Sequence, residues 1–568
     1  MALALLLAAT PAVVAQTAST GAVAGTIRDS SGAVLPGVTI NATNQATGEV
    51  RTAVSGPEGG YAVPLLPPGN YRIEATLAGF KTVTRTGVQV SVTERVQVDF
   101  RLEVGGIEES VTVEAAAQLA QTTTSSLGRV INERAVQSLP LVTRNYTQIL
   151  GLSPGITVGV TNAAELGRGT GGTVVSRTSV HGSRVYDHNF QIDGIEVNDF
   201  ETSTGGNTAG IAVPNPDTIQ EFKVQTGQYD ASFGRNAGAN VNIVTKTGTN
   251  EFRGTAFEFF RDDALNANDY FFELAGQPKP ELRQHQFGGT LGGPISRDRL
   301  LFFASYQGTR QTTGLSAGQT RAKCSSTVFS PPLTDDRSAA ALGRLFAGRT
   351  GQLGGAAVAA DGSNINPVAL QLLRMQLPDG GYLLPTPQQI DPSQPFDRRG
   401  FSAFSNPCTF TEDQFMGNFE FLQNEKSKFA GRFFTAASNQ VTSYATASVN
   451  VPGFPLDVKN QFYVASLAHN YVFGSRLFNE ARVGFYRNRL EFQHGSAFRL
   501  SQVGIDAVEQ IDDVPSISIS GSFNMGTCCP LDLPQNTLQF QDHLSFVAGR
   551  HLFRAGGGFS RVKDTVLN

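Results

Sequence analysis

The sequence contains no tryptophan and little charge: Asp, Glu, Lys and Arg together make up 16% of its 568 residues. In soluble proteins about a quarter of all residues are typically charged, so the low fraction here is compatible with surfaces that face lipid. Glycine and phenylalanine are abundant, with 61 and 39 residues, which favours a chain of many strands and turns. The net charge is −4 and the basic residues form no stripe, so nucleic-acid binding is not expected.

Long hydrophobic runs are also missing. The one sizeable apolar stretch, residues 1–15, is too short to cross a bilayer as a helix, so any membrane-spanning part must be a β-barrel. The stretch ends in Val13-Val14-Ala15 before Gln16, which fits a signal-peptidase site, although no basic residue precedes it. We therefore expect a signal peptide at 1–15, and a short apolar strand or anchor helix is the alternative.

Cysteine is rare, and all four cysteines fall in segments that we interpret as loops: Cys324, Cys408, Cys528 and Cys529. Export would permit disulfides, and three pairings are possible. A bond between Cys324 and Cys408, which share one long loop, is favoured, and free thiols are the alternative. The cysteines and histidines lack the spacing of a metal site, so no metal or cofactor is expected.

The first segment, residues 21–104, alternates short β-branched runs with turn signals such as PEGG at 57–60 and PPGN at 67–70. Several short strands at this spacing predict a small β-sandwich. The stretches GTIRDSSGAVLPGVTI and GPEGGYAVPLLPPGNYRIEATLAGF resemble the carboxypeptidase regulatory-like domain, a non-catalytic, transthyretin-like sandwich. The resemblance implies a structural or docking role, with a weaker analogy to carbohydrate binding. It also implies core aromatics and turn glycines at Tyr61, Tyr71, Phe80, Gly37, Gly60 and Gly69.

Residues 105–115 follow as a linker in which polar residues alternate with valine. In receptors that carry such an N-terminal domain, the TonB box resembles this segment. An extended stretch of this kind can add a strand to the edge of a sheet in TonB. The alternative is the last strand of the sandwich followed by a linker. The resemblance implies a box composed of Ile107, Glu108, Glu109, Ser110, Val111, Thr112 and Val113.

The next segment, 116–250, contains SVHGSRVYDHNFQIDGIEVND and PDTIQEFKVQTGQYDASFGRNAGANVNIVTKTGTNEFRG, which resemble the plug domain of TonB-dependent receptors. Short alternating strands separated by glycine, with one helix near 132–139, predict a small mixed α/β domain. Arg235, with Asp193 and Glu221 as candidate partners, would join the plug to a barrel wall, and ordinary surface charges are the alternative. The plug motif comprises Asp193, Gly194, Glu221, Gly234, Arg235 and Gly238.

From 251 to 568, segments of about ten residues alternate apolar and polar side chains, the pattern of a transmembrane barrel. Phe415, Phe419 and Phe421, for example, alternate with Asn418 and Glu420. The connections alternate strictly between long and short, as expected when the two ends of a barrel face different compartments. They are 263–283, 296–299, 311–412, 423–427, 437–459, 474–475, 490–536 and 549–550.

These segments amount to about nine strands, and an odd count leaves open edges that lipid does not tolerate. The resemblance implies a barrel of about 22 strands. The last residues, Val566-Leu567-Asn568, also lack a terminal aromatic. We therefore expect the chain to be the N-terminal part of a longer receptor.

Two motifs resemble those of enzymes but lack the features that the enzyme sites require. Residues 151–155 read GLSPG, a literal GxSxG, but Pro154 lacks the N–H that an oxyanion hole needs. Gly167, Gly169 and Gly172 form a GxGxxG that neither follows a convincing strand nor opens a helix. No enzyme activity is expected.

The expected fold is mainly β: a transthyretin-like β-sandwich, a mixed α/β plug domain and an incomplete antiparallel transmembrane β-barrel. Resemblance to the Oar-like branch of TonB-dependent receptors implies import of an unidentified small ligand through TonB with ExbB–ExbD. A carbohydrate or a peptide is the expected class of ligand. The protein would lie in the outer membrane, in contact with its lipid, with the sandwich in the periplasm. Ligand would meet loop 311–412 and the plug apices at 160–172 and 200–212. The alternatives are an adhesion barrel that binds carbohydrate or matrix without transport, and a soluble secreted binder.

Overall fold

The computed structural model describes residues 19–105, 110–114, 127–139, 141, 144–158, 179–184, 187–198, 212–229, 233–234, 236–268, 279–314, 324–351, 354–445, 449–506, 514, 516–519, 522–526, 531–548 and 551–565. For 110–114 it describes the backbone alone. Within these ranges, no helix is long and apolar enough to cross a membrane. The predicted signal peptide, the GxGxxG motif and nearly all of both plug apices lie outside the described residues.

The N-terminal strands form a two-sheet sandwich. One sheet has the order β4-β1-β7, with β8 also paired to β1, and the other has the order β3-β2-β5-β6-β9. Inward-facing side chains of both sheets, including Ile27, Ile40 and Tyr61, form one apolar core. The strands are β1 (Gly21–Asp29), β2 (Thr39–Asn44), β3 (Val50–Val54), β4 (Gly60–Leu66), β5 (Gly69–Thr76), β6 (Thr82–Val90), β7 (Arg95–Gln97), β8 (Phe100–Leu102) and β9 (Ser110–Glu114).

The aromatic positions of the sandwich match the resemblance, while one turn differs. Tyr61 and Tyr71 are buried, and Phe80 packs against the core. The left-handed residue of the turn before β4 is Gly59 rather than Gly60. The linker expected at 105–115 also differs from the structure, because β9 pairs in parallel with β6 and extends the sandwich beyond residue 104.

The second unit contains a five-stranded mixed sheet in the order β10-β15-β16-β13-β14, in which β13 and β16 are parallel. Its helix α1 begins at the N-cap Asn132, whose side chain accepts a hydrogen bond from the Ala135 N–H. The elements are β10 (Leu127–Asn132), α1 (Glu133–Ser138), β11 (Ile156–Thr157), β12 (Ser179–Val180), β13 (Asn189–Ile192), β14 (Ile195–Glu196), β15 (Ile219–Gly227), β16 (Asn240–Thr245), and 3-10 turns at Tyr146–Leu152 and Pro216–Thr218.

The third unit is a nine-stranded antiparallel sheet in the order β17-β18-β19-β23-β24-β25-β26-β29-β30. Its strands and those of its loops are β17 (Arg253–Asp262), β18 (Leu282–Ser296), β19 (Leu300–Thr313), β20 (Ser325–Ser330), β21 (Gln389–Ile390), β22 (Gly400–Ser405), β23 (Cys408–Asn424), β24 (Ser427–Thr442), β25 (Leu456–Gly474), β26 (Leu477–His494), β27 (Ile517–Ser518), β28 (Asn524–Met525), β29 (Leu531–Ala548) and β30 (His551–Asp564).

The two faces of this sheet differ in polarity. Phe415 and Phe419 are about half exposed on the outer face, whereas Gln414, Asn418 and Glu420 are buried on the inner face. A similar alternation of burial continues along β25, β26 and β29, whereas the edge strands β17 and β30 are exposed over most of their length. An apolar outside with a polar inside is what a barrel in lipid requires. The expected fold class, mainly β with a plug and an outer-membrane barrel, is confirmed.

The plug packs against the inner face of the barrel sheet. The apolar side of the plug sheet, including Phe222 and Ile243, shares one hydrophobic cluster with barrel residues such as Met416, Phe434 and Tyr486. Because the apolar side of the plug sheet is buried against the barrel wall, this contact fixes the orientation of the plug.

Three of the long connections of the barrel fold together into one unit, which we call the loop cap: the described parts of 324–407, 443–455 and 495–526. The three segments share an apolar core that includes Leu342, Phe454 and Val503. The described parts of 311–412 are therefore packed into an apolar core. The cap contains helices α2 (Ala339–Phe346) and α3 (Pro367–Arg374) and 3-10 turns at Phe396–Arg398 and Leu500–Val503; another 3-10 turn, Asp263–Leu265, follows β17.

Candidate functional site where plug, barrel and sandwich meet

The predicted IDG motif forms the tight turn between β13 and β14. Asp193 and Gly194 both have positive φ, at 48° and 82°, as a two-residue hairpin turn requires. The Asp193 carboxylate accepts hydrogen bonds from the Thr245 N–H at 3.0 Å and the Thr245 hydroxyl at 2.6 Å. These bonds tie the turn to the end of β16.

The same turn touches the barrel wall. Arg432 Nε of β24 lies 4.0 Å from an Asp193 carboxylate oxygen, and Gln541 of β29 donates to the Gly194 carbonyl at 3.2 Å. A Cβ on Gly194 would collide with the guanidinium of Arg482 in β26. The cation of the barrel wall that Asp193 faces is therefore Arg432. Arg235 lies outside the described residues.

Glu221 of β15 faces the sandwich rather than the barrel. It is 3% exposed and accepts a hydrogen bond from the Val92 N–H. Burial raises the pKa of Glu221 to about 7, and the charge of Glu94 adds to the rise, while the Val92 N–H and Lys223 oppose it. Near neutral pH this carboxyl is thus close to half-protonated.

The two remaining plug-motif glycines have different surroundings. Gly238 lies against the imidazole of His188, and a Cβ there would collide with the ring. His188 Nδ1 accepts a hydrogen bond from the Ala239 N–H at 3.0 Å, so the close approach holds this loop in place. Gly234 has open space around its missing side chain.

A buried charge cluster, which the sequence did not indicate, joins the sandwich to the barrel. Lys428 Nζ of β24 lies 2.7 Å from Glu49 of the sandwich and 3.0 Å from Glu420 of β23. Arg432 pairs with Glu420 at 2.8 Å, and Arg51 pairs with Glu49 at 2.9 Å. The Lys428, Glu49 and Glu420 side chains are only 4–6% exposed. Each of these three buried charges therefore has an opposite charge within hydrogen-bonding distance.

The electrostatics of Glu49 follow from this cluster. Burial opposes its ionisation, but the neighbouring cations Lys428 and Arg51 outweigh burial and lower the pKa of Glu49 below its ordinary value. Glu49 is therefore a stable anion throughout the neutral range.

A cavity of about 1040 Å³, which we call the chamber, lies between the three units. The lining of the chamber includes Asn44 to Thr47 and Glu49 of the sandwich, and Asp193 and Glu221 of the plug. The barrel contributes Glu420, Lys428, Arg432, Ser466, Glu480 and Arg482. Both signs of charge line the chamber, so it is suited to water and polar solutes rather than to an apolar ligand.

At the opposite end of the barrel, Cys324 and Cys408 form a disulfide with a Cα separation of 5.3 Å. The bond ties the start of the loop cap to the first residue of β23. Cys528 and Cys529 lie outside the described residues. Of the residues predicted to form a TonB box, Ser110, Val111, Thr112 and Val113 lie in β9, and Ile107, Glu108 and Glu109 are not described.

Comparison with protein families gives matches along the whole chain. Residues 244–568, more than half of the chain, match an outer membrane beta barrel domain, and 119–241 match the TonB-dependent receptor plug domain. Residues 22–103 match the carboxypeptidase regulatory-like domain. The chain belongs to the TonB-dependent outer-membrane receptors. The receptor is thus an outer-membrane protein.

Individual relatives are more distant. The receptor is 27% identical to the TonB-dependent transporter Oar of Myxococcus xanthus over 281 residues, which cover 47% of this chain and 25% of Oar. Similar solved structures include the outer membrane transporter YddB from Escherichia coli (TM-score 0.46, 11% identity, 78% of this chain and 50% of that one). Another is the siderophore receptor PirA from Acinetobacter baumannii (TM-score 0.43, 13% identity, 80% and 50%). The receptor spans about a quarter of Oar and about half of each solved chain.

Proposed function

We propose that the receptor imports a ligand across the outer membrane, driven by the proton gradient through TonB with ExbB–ExbD. The observation that carries the proposal is that the plug, which has its own five-stranded sheet, packs against the inner face of the barrel sheet. A pore blocked in this way conducts only when the domain moves, and movement against buried contacts requires an energy source. Polar contacts of the plug turn with Arg432 and Gln541 can be exchanged for water at a small net cost.

TonB would engage residues 107–113. The strand β9 contains the second half of this segment. Among the described residues it lies at the edge of its sheet and pairs with β6 alone. Edge strands are the sites where a partner adds a strand. The placement of the segment at a sheet edge is consistent with the proposed role.

The ligand would bind at the loop cap, and we propose a carbohydrate or a peptide. Three long loops there share one core and a disulfide, so the cap offers a preformed surface rather than loops that must be ordered on binding. The cap lies at the end opposite the short turns. The sandwich would accordingly lie in the periplasm.

The test uses cells that express the receptor and a variant lacking residues 107–113. The control variant carries alanines at 121–124, close to the box but outside it. Labelled oligosaccharides, oligopeptides and ferric chelates are the probes, with and without TonB. Uptake of one class should require both TonB and 107–113. Uptake that continues in the deletion variant contradicts the box, and binding without any TonB-dependent uptake favours an adhesion barrel.

A further inference from the structure

The N-terminal sandwich is seated on the end of the barrel that carries the short turns. The Asn250 N–H, in the connection from plug to barrel, donates to the Ala46 carbonyl at 3.0 Å, and its side chain donates to the Thr47 carbonyl at 2.8 Å. Gly48 lies against Asp298 in the turn between β18 and β19. One loop of the sandwich thus contacts both the plug connection and a barrel turn.

A second, apolar contact joins the sandwich to the barrel beside two other short turns, the one before β26 and the one between β29 and β30. Ala62 and Leu65 of β4 share a buried cluster with Phe478, Val547 and Leu552 of the barrel. These barrel residues lie at the ends of β26, β29 and β30 next to their short turns. The sandwich therefore spans several turns rather than touching one.

Polar contacts complete the interface from inside the barrel. Lys428 of the wall is neutralised by Glu49 of the sandwich, and Gln220 of the plug donates to the Pro68 carbonyl at 2.8 Å. Glu221 accepts from the Val92 N–H. Plug and wall thus bind different loops of the same sandwich, and those loops form one side of the chamber.

We propose that the sandwich is a removable second plug, which closes the chamber at the short-turn end and is held there by the Glu49–Lys428 ion pair. A buried ion pair suits a contact that must open, because both charges regain water when they separate and the net cost of separation is small. An interface that combines charges and hydrogen bonds with one small apolar cluster resembles transient interfaces between domains rather than a permanent core. The proposal does not depend on TonB-driven import.

Two measurements test it in outer-membrane vesicles, both in a background with Cys528→Ser and Cys529→Ser. Docking is measured by disulfide formation in the Ala46→Cys, Asn250→Cys pair, whose backbones are hydrogen-bonded in the docked form. Chamber access is measured separately by labelling Ser466→Cys, a chamber-lining position, with a polyethylene-glycol maleimide.

The perturbing variants are Lys428→Ala and Glu49→Gln, and the control is Lys426→Ala, in the exposed turn beside Lys428. Glu49→Gln leaves the buried Arg51 without its anion, and Lys428→Ala removes the wall cation that pairs with Glu49, so undocking should rise by up to the order of 100-fold. Disulfide formation should slow and Ser466→Cys labelling should accelerate, whereas Lys426→Ala should match the unmodified chain. The double variant Glu49→Gln, Lys428→Met removes both charges and should recover part of the docking.

The two readouts make the proposal refutable. Slower disulfide formation with unchanged labelling means that the sandwich docks but does not close the chamber. Unchanged disulfide formation in both variants means that the ion pair does not hold the sandwich. Because Glu49 lies in the sandwich, its variant leaves the barrel sequence intact and remains informative if Lys428→Ala fails to fold.

Discussion

Glu221 should make docking of the sandwich depend on pH. Its pKa is about 7 when the docked sandwich buries it, against an ordinary value of 4.5 when water surrounds it. Since the docked form binds the proton more tightly, protonation favours docking. Docking is therefore strongest at or below pH 4.5 and weakens as the pH rises through 7.

The magnitude follows from the two values. Between pH 8 and pH 6 the docked form gains most of one proton at Glu221, while the undocked form stays ionised. The docking equilibrium should shift about tenfold towards the docked form, or about 1.4 kcal/mol. Glu94 and Lys223 face the same carboxyl, and their opposing effects are already contained in the pKa of about 7.

The assay is hydrogen exchange at the Val92 amide, whose proton Glu221 accepts. The protection factor, corrected for intrinsic exchange, is compared at pH 6 and pH 8 in the unmodified receptor and in Glu221→Gln. The unmodified receptor should show about tenfold greater protection at pH 6. The glutamine variant should show no such change, because its amide does not titrate. Equal pH dependence in both, or greater protection at pH 8, refutes the reasoning.

Three further perturbations have defined outcomes. Gly194→Ala should lower the melting temperature and loosen the plug, because the residue has φ 82° and its Cβ would collide with Arg482; about 1–3 kcal/mol is expected. Cys324→Ser should cost the loop cap about 4–5 kcal/mol, since the disulfide joins residues 84 apart, and cap proteolysis measures it; equal protease resistance with and without the bond contradicts this. Tyr61→Phe should cost about 1 kcal/mol in urea unfolding, because its hydroxyl donates to a buried carbonyl at 2.6 Å; a change within error contradicts that role.

The barrel was predictable because its pattern is local. A strand exposes alternate residues to lipid and to the interior, so Phe415 and Asn418 reveal their faces without knowledge of any partner. Turn lengths between strands are equally visible, and the nine-stranded sheet has the expected order of long and short connections. The tight turn at Asp193 and Gly194 was also readable, because few residues other than glycine accept a positive φ.

The charge pairings were not predictable. Lys428 and Glu49 are 379 residues apart and belong to different units, and nothing in the sequence around either residue indicates that the two charges meet. The proximity of Arg432 to Asp193 was not predictable for the same reason. Similarly, the pattern of β9 fits a linker and an edge strand equally well, and its pairing with β6 decided between them.

The sequence by itself thus determined the class of each unit, the faces of the barrel strands and the turns of the plug, because these depend on local periodicity and on the backbone preferences of single residues. Only the tertiary structure decided which charges are buried together and where the sandwich sits. The physical reason is that burial converts a weak, screened surface charge into one that needs a partner, and burial is created by how the three units pack.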